Sequence, residues 1–528
     1  MPGAPGGGAV VATESLPIHP FLAPVLVALT AFRSNAENVP LSVALPGLVG
    51  TLLCGLVVYG LCAAALRSRQ AGALVATPLA LLFLVYGRIG LLVWEHMPVG
   101  LRFLGPHWLT ALLALPVLVA PVVLTRRRAR GRQELNGVLN VIAVVLVMFN
   151  VAGLLAAKSG ASRESGASVG FPKLSVEATV AGRAPHVVLL VLDGLGSPEV
   201  LTELYDLDVS AEVRELEAMG FEVSRRAHSN YTVTTNSLAS ALNLQPFSAF
   251  RERVKGDPRG PSFHEMIAQT LPESEMIRLL RPLGYRTVYV SPGVFALDRL
   301  VFDERHDPAR RYSEFDMILL SATLPATLGW LGPTAAELDV LETHRARVTN
   351  SFRVLPETLR GDAPKFVLCH ILQPHAPFVF DAGGEPTDRY RRLIDAGSMF
   401  YDGSFTHHFD PLLQALYREG YRGQVRATLR RTIAALRALE EASDRPLVVI
   451  VTGDHGPGMG VDLMDPARSD LRERFAIFHA VRVPQDRRLG LAEDPGLTES
   501  LRRVMNAVFG RRCPSGRSVV TSCRSWTR

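Results

Sequence analysis

Two carboxylates and a histidine directly follow two apolar stretches that predict buried strands. Asp193 comes after Pro185–Leu192, and Asp454 and His455 come just after Pro446–Thr452. Open α/β sheets bind ligands at the carboxyl ends of their strands, so the three side chains are expected to meet at one edge. Two carboxylates and an imidazole suit a hard or borderline divalent metal ion. The sequence therefore predicts a metalloenzyme.

A segment rich in hydroxyl side chains lies between these strands and supplies candidate nucleophiles. Within Ser229–Asn243, Thr234 and Thr235 precede an apolar run that is compatible with a helix. A threonine at a helix N-terminus lies at the positive end of the helix dipole. If its oxygen also binds the metal, its proton is lost more easily and the hydroxyl becomes a nucleophile. The alternative is that both threonines only cap the helix, but the flanking metal-ligand candidates favour a nucleophile.

The N-terminal part of the 528-residue chain is strongly apolar and predicts a membrane anchor. The chain is 48% hydrophobic with a mean hydropathy of +0.18, and the excess lies before residue 157. A helix needs about 20 apolar residues to span a bilayer. Runs of this kind predict an anchor of about five helices within residues 1–157, the first of them short and broken by prolines: 16–32, 41–66, 72–94, 105–125 and 136–157.

Positively charged loops set the expected orientation of this anchor. Arg67 and Arg69 follow the second run, and the loop 125–132 carries five arginines. Because arginine-rich loops remain in the cytoplasm, everything after about residue 160 should be extracytoplasmic. Arg88, inside the third run, reaches the outer interface, pairs with another group inside the bundle or contacts a lipid headgroup. The net charge of +6 rests on such loops, and no basic stretch interleaved with aromatic residues indicates nucleic-acid binding.

The rest of the chain is expected to form a linker, a catalytic domain and a tail. Residues 158–184 are small and polar, as in a juxtamembrane linker. Residues 185–512 alternate strand-like and helix-like runs, which predicts an α/β domain covered on both faces. Residues 513–528 predict a disordered tail, in which Cys513 and Cys523 form either a disulfide or two free thiols. The clearest runs are strands at 187–192, 287–291, 366–372 and 447–452, and helices at 412–417 and 425–442.

The order of these motifs resembles the alkaline phosphatase/sulfatase superfamily. A strand with Asp-Gly is followed by Asn-Tyr-x-x-Thr-x-x-Ser-Leu-Ala-Ser and then by a strand with Asp-His-Gly. The chain is most similar to the membrane-anchored branch that contains lipoteichoic acid synthases and lipid A phosphoethanolamine transferases, over about residues 185–480. The resemblance implies a mixed, mostly parallel sheet sandwiched by helices. It also implies one divalent metal ion, Mn, Zn or Mg, held by four ligands: Asp193, Thr234, Asp454 and His455.

The same resemblance assigns roles to individual side chains. Thr234 matches the nucleophile, because family nucleophiles precede a serine by three residues and Ser237 fits; Thr235 is the second choice. Sulfatases that mature a Cys-x-Pro-x-Arg or Ser-x-Pro-x-Arg motif to formylglycine are not matched, since this segment has neither cysteine nor proline. His375 matches a histidine that contacts the transferred phosphoryl group. His370, five residues earlier, is either a substrate-site residue or a satisfied core histidine.

Two further side chains are candidates for substrate binding. Arg472 and Arg474 lie in a charged run after the second metal-ligand strand. They belong either to a solvated helix with internal ion pairs or to a site that binds an anionic headgroup, because arginine recognises phosphate bidentately. The adjacent His407 and His408 are expected on a loop surface. No second metal motif is found, so one metal ion is expected.

Together these patterns predict a multi-pass membrane enzyme with an extracytoplasmic catalytic domain. The expected reaction is metal-dependent transfer of a phosphoryl-type group from a membrane lipid, or another phosphodiester of the cell envelope, to an acceptor in the envelope. A hydrolase that uses water as acceptor is the first alternative. A non-catalytic membrane scaffold that retains the fold is the second. The low cysteine content differs from that of phosphoethanolamine transferases, which leaves donor and acceptor open.

Overall fold

The computed structural model divides the chain into two compact units. One contains residues 1–165 together with 312–338, and the other contains 166–311 together with 339–528. The structure describes residues 16–36, 39, 41–97, 106–126, 128–163, 183–247, 271, 274–293, 300–308, 313–327, 340–391, 393, 411–462, 466–484, 489–491 and 495–510.

Five long helices form the first unit within the described part of the first 163 residues. Four of them are long and apolar enough to cross a membrane, whereas the first has only 17 residues. In three of these four, at most 17% of the apolar window is buried, as expected for helices that face lipid. The helices are α1 (His19–Asn35), α2 (Leu41–Ala65), α3 (Arg69–His96), α4 (Pro106–Leu124) and α5 (Ala129–Arg163).

Polar contacts hold the short α1 against its neighbours. Asn140 of α5 accepts hydrogen bonds from the backbone N–H groups of Ile18 and His19 at 2.8 and 2.9 Å. The buried His19 ring also lies 2.6 Å from the Thr77 hydroxyl and 2.7 Å from the Asn136 amide oxygen. Such polar contacts between helices replace water as the partner of backbone groups in an apolar environment. These contacts explain how a short helix with an internal proline, Pro24, packs into the bundle.

A seven-stranded mixed sheet forms the centre of the second unit, in the order β2-β7-β6-β1-β5-β3-β4. Strand β7 pairs antiparallel with β2 and β6, and the other neighbours are parallel. This confirms the predicted mixed, mostly parallel α/β fold. The strands are β1 (His186–Leu192), β2 (Glu222–Ser224), β3 (Arg286–Val290), β4 (Glu304–His306), β5 (Lys365–Ile371), β6 (Leu447–Thr452) and β7 (His479–Arg482).

Apolar cores cover both faces of this sheet. Val188, Leu190 and Leu192 of β1 point into one core, and Val187, Leu189 and Val191 point into the other. Burial on both faces explains why the central strands are continuous apolar runs rather than alternating ones. The helices of this unit are α6 (Pro198–Tyr205), α7 (Ser210–Ala218), α8 (Thr234–Leu242), α9 (Glu275–Leu280), α12 (Val340–Val354), α13 (Pro411–Ala442), α14 (Leu471–Phe475) and α15 (Leu497–Phe509), while α10 (Glu314–Ser321) and α11 (Leu324–Thr327) belong to the first unit.

One helix is longer than predicted. The sequence predicts two helices, 412–417 and 425–442, but α13 is continuous over 32 residues. Glycines between the two predicted helices favour a break in the helix, but in the structure they are sites of close packing. A Cβ on Gly420 would collide with the ring of Phe378, and one on Gly423 would lie 3.3 Å from the Ala382 nitrogen. The glycines therefore let α13 approach the segment after β5.

Candidate active site

The central strands place the predicted metal ligands side by side. Strand β1 lies between β5 and β6, and both pairings are parallel. Leu192 is level with Ile371, and Val191 is level with Thr452, so Asp193 and Asp454 extend from the same edge. Gly194 turns the chain directly after Asp193 with a φ of +74°, a conformation that favours glycine.

Two glycines fix the turn that carries Asp454 and His455. A Cβ on Gly453 would collide with the Leu195 carbonyl oxygen, and one on Gly456 would collide with the Glu473 carbonyl oxygen. Only glycine permits these close backbone approaches. The sequence Gly-Asp-His-Gly therefore combines two side chains that could bind a metal with the two residues that let their backbone fit.

Three side-chain oxygens lie around His455 Nε2 at distances near those between ligands of one metal ion. His455 Nε2 lies 3.2 Å from Thr234 Oγ1, 3.6 Å from Asp193 Oδ1 and 3.5 Å from Asp454 Oδ2. Ligands about 2.0–2.1 Å from a tetrahedral ion are separated by about 3.3–3.4 Å. Both of these carboxylate oxygens are buried and have no hydrogen-bond partner within the described residues. Buried charges without partners are costly, so a cation fits the arrangement.

The other polar atoms of these ligands have orienting partners. Asp193 Oδ2 lies 3.1 Å from His370 Nε2, and Asp454 Oδ1 accepts a hydrogen bond from the Gly194 N–H at 3.1 Å. His455 Nδ1 lies 2.9 Å from the Gly456 carbonyl oxygen, which makes Nδ1 the donor and leaves the Nε2 lone pair for a metal. Such outer contacts typically fix the direction of metal ligands.

A second ligand set shares the same two carboxylates. Asp193, His370 and Asp454 each offer a ligand atom within 4.8 Å of the others, and all three are buried. We favour His455 over His370 as the histidine ligand. His370 Nε2 faces Asp193 Oδ2, whereas His455 Nε2 faces both of the carboxylate oxygens that lack partners. The buried Asp/His/Asp group can bind a metal in either arrangement.

The charge states of the site match those of metal ligands. Burial alone would raise the pKa of Asp193, but His375, the hydrogen bond with His370 and the charge of His455 hold it well below its usual value. Burial and the nearby Arg474 guanidinium lower the pKa of His455, more than Asp454 and Asp193 raise it. A carboxylate and a neutral imidazole are the forms that coordinate metals.

The candidate nucleophile begins a helix without capping it. Thr234 is the first residue of α8, and the N-cap position belongs to Val233, whose side chain makes no cap hydrogen bond. The Thr234 hydroxyl instead contacts His455. Neighbouring hydroxyls hold the preceding loop, because Ser229 and Ser237 both donate to the Tyr231 carbonyl at 2.8 and 3.0 Å. The N-terminus of α8 therefore lies beside His455.

The loop after β5 carries His375 next to the first carboxylate. The His375 N–H donates to the Asp193 carbonyl at 2.9 Å, and the ring centroid lies 6.4 Å from that of His455. His375 Nδ1 lies 2.6 Å from the Ala376 carbonyl oxygen, which directs Nε2 away from the backbone. The side chain of Gln424 donates to the His375 carbonyl at 2.9 Å. The loop is therefore fixed by both β1 and α13.

The two arginine candidates occupy different environments. Arg474 is buried and donates from Nε to the Thr232 carbonyl at 2.8 Å and from Nη1 to the Gly456 carbonyl at 3.2 Å. It joins the loop before Thr234 to the turn after His455. Arg472 is about half exposed and pairs with Glu203 at 2.5 Å. Binding of a headgroup by either arginine stays a prediction.

Sequence reasoning missed two buried polar residues beside the site. His344 of α12 is 4% exposed and hydrogen-bonds the Leu372 backbone. Burial, followed by the charges of Arg347 and His375, lowers the pKa of His344 to about 3. Gln373 is fully buried, and neither of its side-chain polar atoms has a partner within the described residues. No motif marks either residue. His344 is a polar side chain on the buried face of a helix, and Gln373 lies just after strand β5.

Several predictions fall on residues that the structure does not describe. They concern most of the proposed linker, the tail with Cys513 and Cys523, and the adjacent His407 and His408.

Comparison with known proteins identifies the class of this domain. The sulfatase family model matches residues 185–476, more than half of the chain. The chain therefore belongs to the sulfatase family, as the order of motifs predicts. Four helices that are long and apolar enough to cross a membrane precede the matched region.

The solved structures to which the chain is similar are distant in sequence. The integral membrane lipooligosaccharide phosphoethanolamine transferase A (EptA) of Neisseria meningitidis is 13% identical over 93% of this chain and 95% of that chain, with a TM-score of 0.43. The periplasmic domain of EptC from Escherichia coli in complex with Zn is 11% identical over 64% of this chain and 86% of that chain, with a TM-score of 0.41. The phosphonate monoester hydrolase of Agrobacterium radiobacter is 13% identical over 62% and 74%, with a TM-score of 0.39. No curated protein matches the chain by sequence.

Proposed function

We propose that the protein is a membrane-bound, metal-dependent phosphoryl-type transferase that uses Thr234 as its nucleophile. The observation that carries this proposal is the position of the Thr234 hydroxyl. It lies at the start of α8 and 3.2 Å from His455 Nε2, beside two carboxylate oxygens that lack partners. A hydroxyl with only a capping role would bond the backbone of its own helix instead.

The reaction proceeds in two displacements at phosphorus. The Thr234 oxygen forms a bond to phosphorus, its proton passes to solvent, and the bond from phosphorus to the lipid oxygen breaks. His375 protonates that leaving oxygen. In the second step an acceptor hydroxyl gives its proton to the now neutral His375 and forms a bond to phosphorus. The bond from phosphorus to the threonine oxygen breaks, and that oxygen regains a proton from solvent. A divalent cation held by Asp193, Thr234, Asp454 and His455 would lower the pKa of the threonine hydroxyl and offset phosphoryl charge.

The anchor supports a substrate that is part of the membrane or of the cell envelope. An enzyme held to a bilayer meets lipid donors without a further binding step, so a phospholipid or another envelope phosphodiester is the proposed donor. The arginines at 67, 69 and 126–132 support an extracytoplasmic catalytic unit and a multi-pass protein of the inner or plasma membrane. Thr234 stands where formylglycine sulfatases carry a matured cysteine or serine, which supports phosphoryl rather than sulfate chemistry.

The first experiment follows the fate of a phospholipid. The full chain in detergent, supplied with Mn²⁺ or Zn²⁺, is mixed with phosphatidylethanolamine and phosphatidylglycerol labelled in their acyl chains. Wild type should release labelled diacylglycerol and carry a phosphoryl-type adduct on the Thr234 peptide. Thr234→Ala should lose both signals, whereas the neighbouring Thr235→Ala should retain them. Diacylglycerol formation by Thr234→Ala at the wild-type rate would refute the proposal.

The same experiment separates the two alternatives. Hydrolysis releases the free phosphorylated headgroup into water, whereas transfer moves it to an added hydroxyl acceptor and depends on that acceptor. A scaffold binds metal but forms neither an adduct nor a product with either lipid. The buried carboxylates argue against a non-catalytic scaffold, because a protein without catalytic activity does not require a threonine hydroxyl beside them.

A further inference from the structure

A short segment of the catalytic sequence belongs to the membrane anchor. Residues 312–338 lie inside the region that matches the sulfatase family, yet they form one compact unit with residues 1–165. The described part of this insertion consists of α10 and α11. Ser313 and Asp316 form a capping box that fixes the start of α10. The chain thus enters the anchor unit a second time after leaving it at α5.

Aromatic and aliphatic side chains of α10 pack against two anchor helices. The Phe315 side chain is fully buried, and its ring lies edge-on to Phe32 of α1 with centroids 6.3 Å apart. Gly47 of α2 leaves room for Leu319 and Phe315. A Cβ on Gly47 would lie 2.6 Å from Leu319 Cδ1 and 3.3 Å from Phe315 Cε1. Close approach at a glycine is typical of tight helix packing in membranes.

A backbone hydrogen bond joins the insertion to a third anchor helix. The N–H of Gly87 in α3 donates to the carbonyl of Ala322 at 2.9 Å. Ala322 and Thr323, which follow α10, are both buried. A backbone bond of this kind fixes the register of the insertion against α3, in addition to the apolar contacts.

The three contact points lie at the same end of the anchor. Phe32 is near the end of α1, Gly47 is near the start of α2, and Gly87 is in the last third of α3. Because successive membrane helices run in opposite directions, these positions share one side of the bundle. It is also the side at which α5 ends and the chain continues toward the catalytic unit.

We propose that residues 313–327, which contain α10 and α11, are a second attachment between the catalytic sequence and the membrane, independent of the chain that connects α5 to β1. The partner surface is formed by α1, α2 and α3 of the same chain. The packing of Phe315 and Leu319 at Gly47 and the bond to Gly87 carry the inference. The catalytic sequence then stays on the membrane even when the connecting chain is cut.

The test uses the full chain in its native membrane with a protease site inserted between residues 166 and 182. After cleavage and a high-salt wash, the wild-type C-terminal fragment should sediment with the membrane. Gly47→Leu should move most of it to the supernatant, because leucine would displace Leu319 and Phe315. Leucine is used because rotation of the Leu319 side chain could accommodate an alanine.

Gly50→Leu is the matched control on the same helix. A Cβ at Gly50 meets no heavy atom within 4 Å, so this fragment should remain with the membrane. Phe315→Ser removes the contact from the insertion side and should release the fragment without changing a membrane helix. Release of the wild-type fragment by cleavage alone would overturn the proposal. Retention of the fragment in both Gly47→Leu and Phe315→Ser would overturn it as well.

Discussion

Replacement of His370 tests how the metal site is built. His370 Nε2 lies 3.1 Å from Asp193 Oδ2, and both side chains are almost fully buried. In the proposed site His370 orients this carboxylate, while the opposite oxygen, Oδ1, faces the metal. Asparagine has its amide near the position of the ring Nδ1 and cannot reach Asp193. Glutamine can place its amide nitrogen where Nε2 lies and can donate the same hydrogen bond.

The magnitude follows from the role of an outer-sphere partner. Loss of such a partner typically reduces metal affinity by about 10- to 100-fold, which corresponds to about 1.4–2.7 kcal/mol. We therefore expect His370→Asn to weaken metal binding by this factor and His370→Gln to restore most of it. The assay is a competition titration of Mn²⁺ or Zn²⁺ against a chelator, with the full chain in detergent at constant pH. Thermal unfolding of the metal-free variants controls for general damage.

Two outcomes refute this reasoning in different ways. Wild-type affinity in His370→Asn would show that the hydrogen bond does not orient Asp193. Equal loss in His370→Asn and His370→Gln, with intact folding, would show that the imidazole itself is required. The alternative ligand set of Asp193, His370 and Asp454 would then replace the one with His455.

Three further predictions concern the site and the domain around it. Arg474→Lys keeps the charge but only one of the two carbonyl contacts, so kcat should fall about tenfold with little change in KM, whereas Arg472→Lys at an exposed ion pair should leave kinetics unchanged. Burial lowers the pKa of His479 from 6.5 to about 4. As the pH falls, the His479 imidazole is therefore protonated in the unfolded chain before it is protonated in the folded protein. The free energy of unfolding should therefore drop by about 2 kcal/mol between about pH 7.5 and pH 5. Thermal melts of His479→Gln should show a smaller decrease, and equal decreases would contradict the assignment. Gly420→Ala forces a methyl group against Phe378 and should cost about 1–3 kcal/mol, measured as a lower Tm; an unchanged Tm would show that the contact can relax.

The parts of the fold that depend on local sequence could be predicted. Strands β1, β3, β5 and β6 are buried on both faces along almost their whole length, so each is a short, mainly apolar run. Asp193 directly follows one of these strands, and Asp454 and His455 come just after another. Because the carboxyl ends of parallel strands meet at one edge of a sheet, the strand pattern alone was enough to predict these ligand candidates.

Features that depend on distant packing were not visible in the sequence. Gly420 suggests a helix end, but the ring of Phe378, about forty residues earlier in the chain, explains it as a close contact. From the sequence alone, Arg474 could be either a surface charge or a phosphate ligand, because its backbone partners are not visible there. The attachment of α10 and α11 to the anchor rests on Gly47 and Gly87, which have no distinguishing pattern in an apolar helix. In each case the partner is far away in the chain.

Burial of the two carboxylates links metal binding to the stability of the fold. Asp193 is 3% exposed and Asp454 is 0% exposed, and each has one oxygen without a hydrogen-bond partner in the described structure. Histidines lower the pKa of Asp193, so it cannot relieve this cost by taking up a proton near neutral pH. A bound cation would offset the buried charge at the two oxygens that have no hydrogen-bond partner. Because the unfolded chain lacks this arrangement, metal that binds the folded state must also stabilise it. A metal-dependent rise in Tm that disappears when Asp454 is replaced by asparagine would therefore report on the site even before a substrate is known.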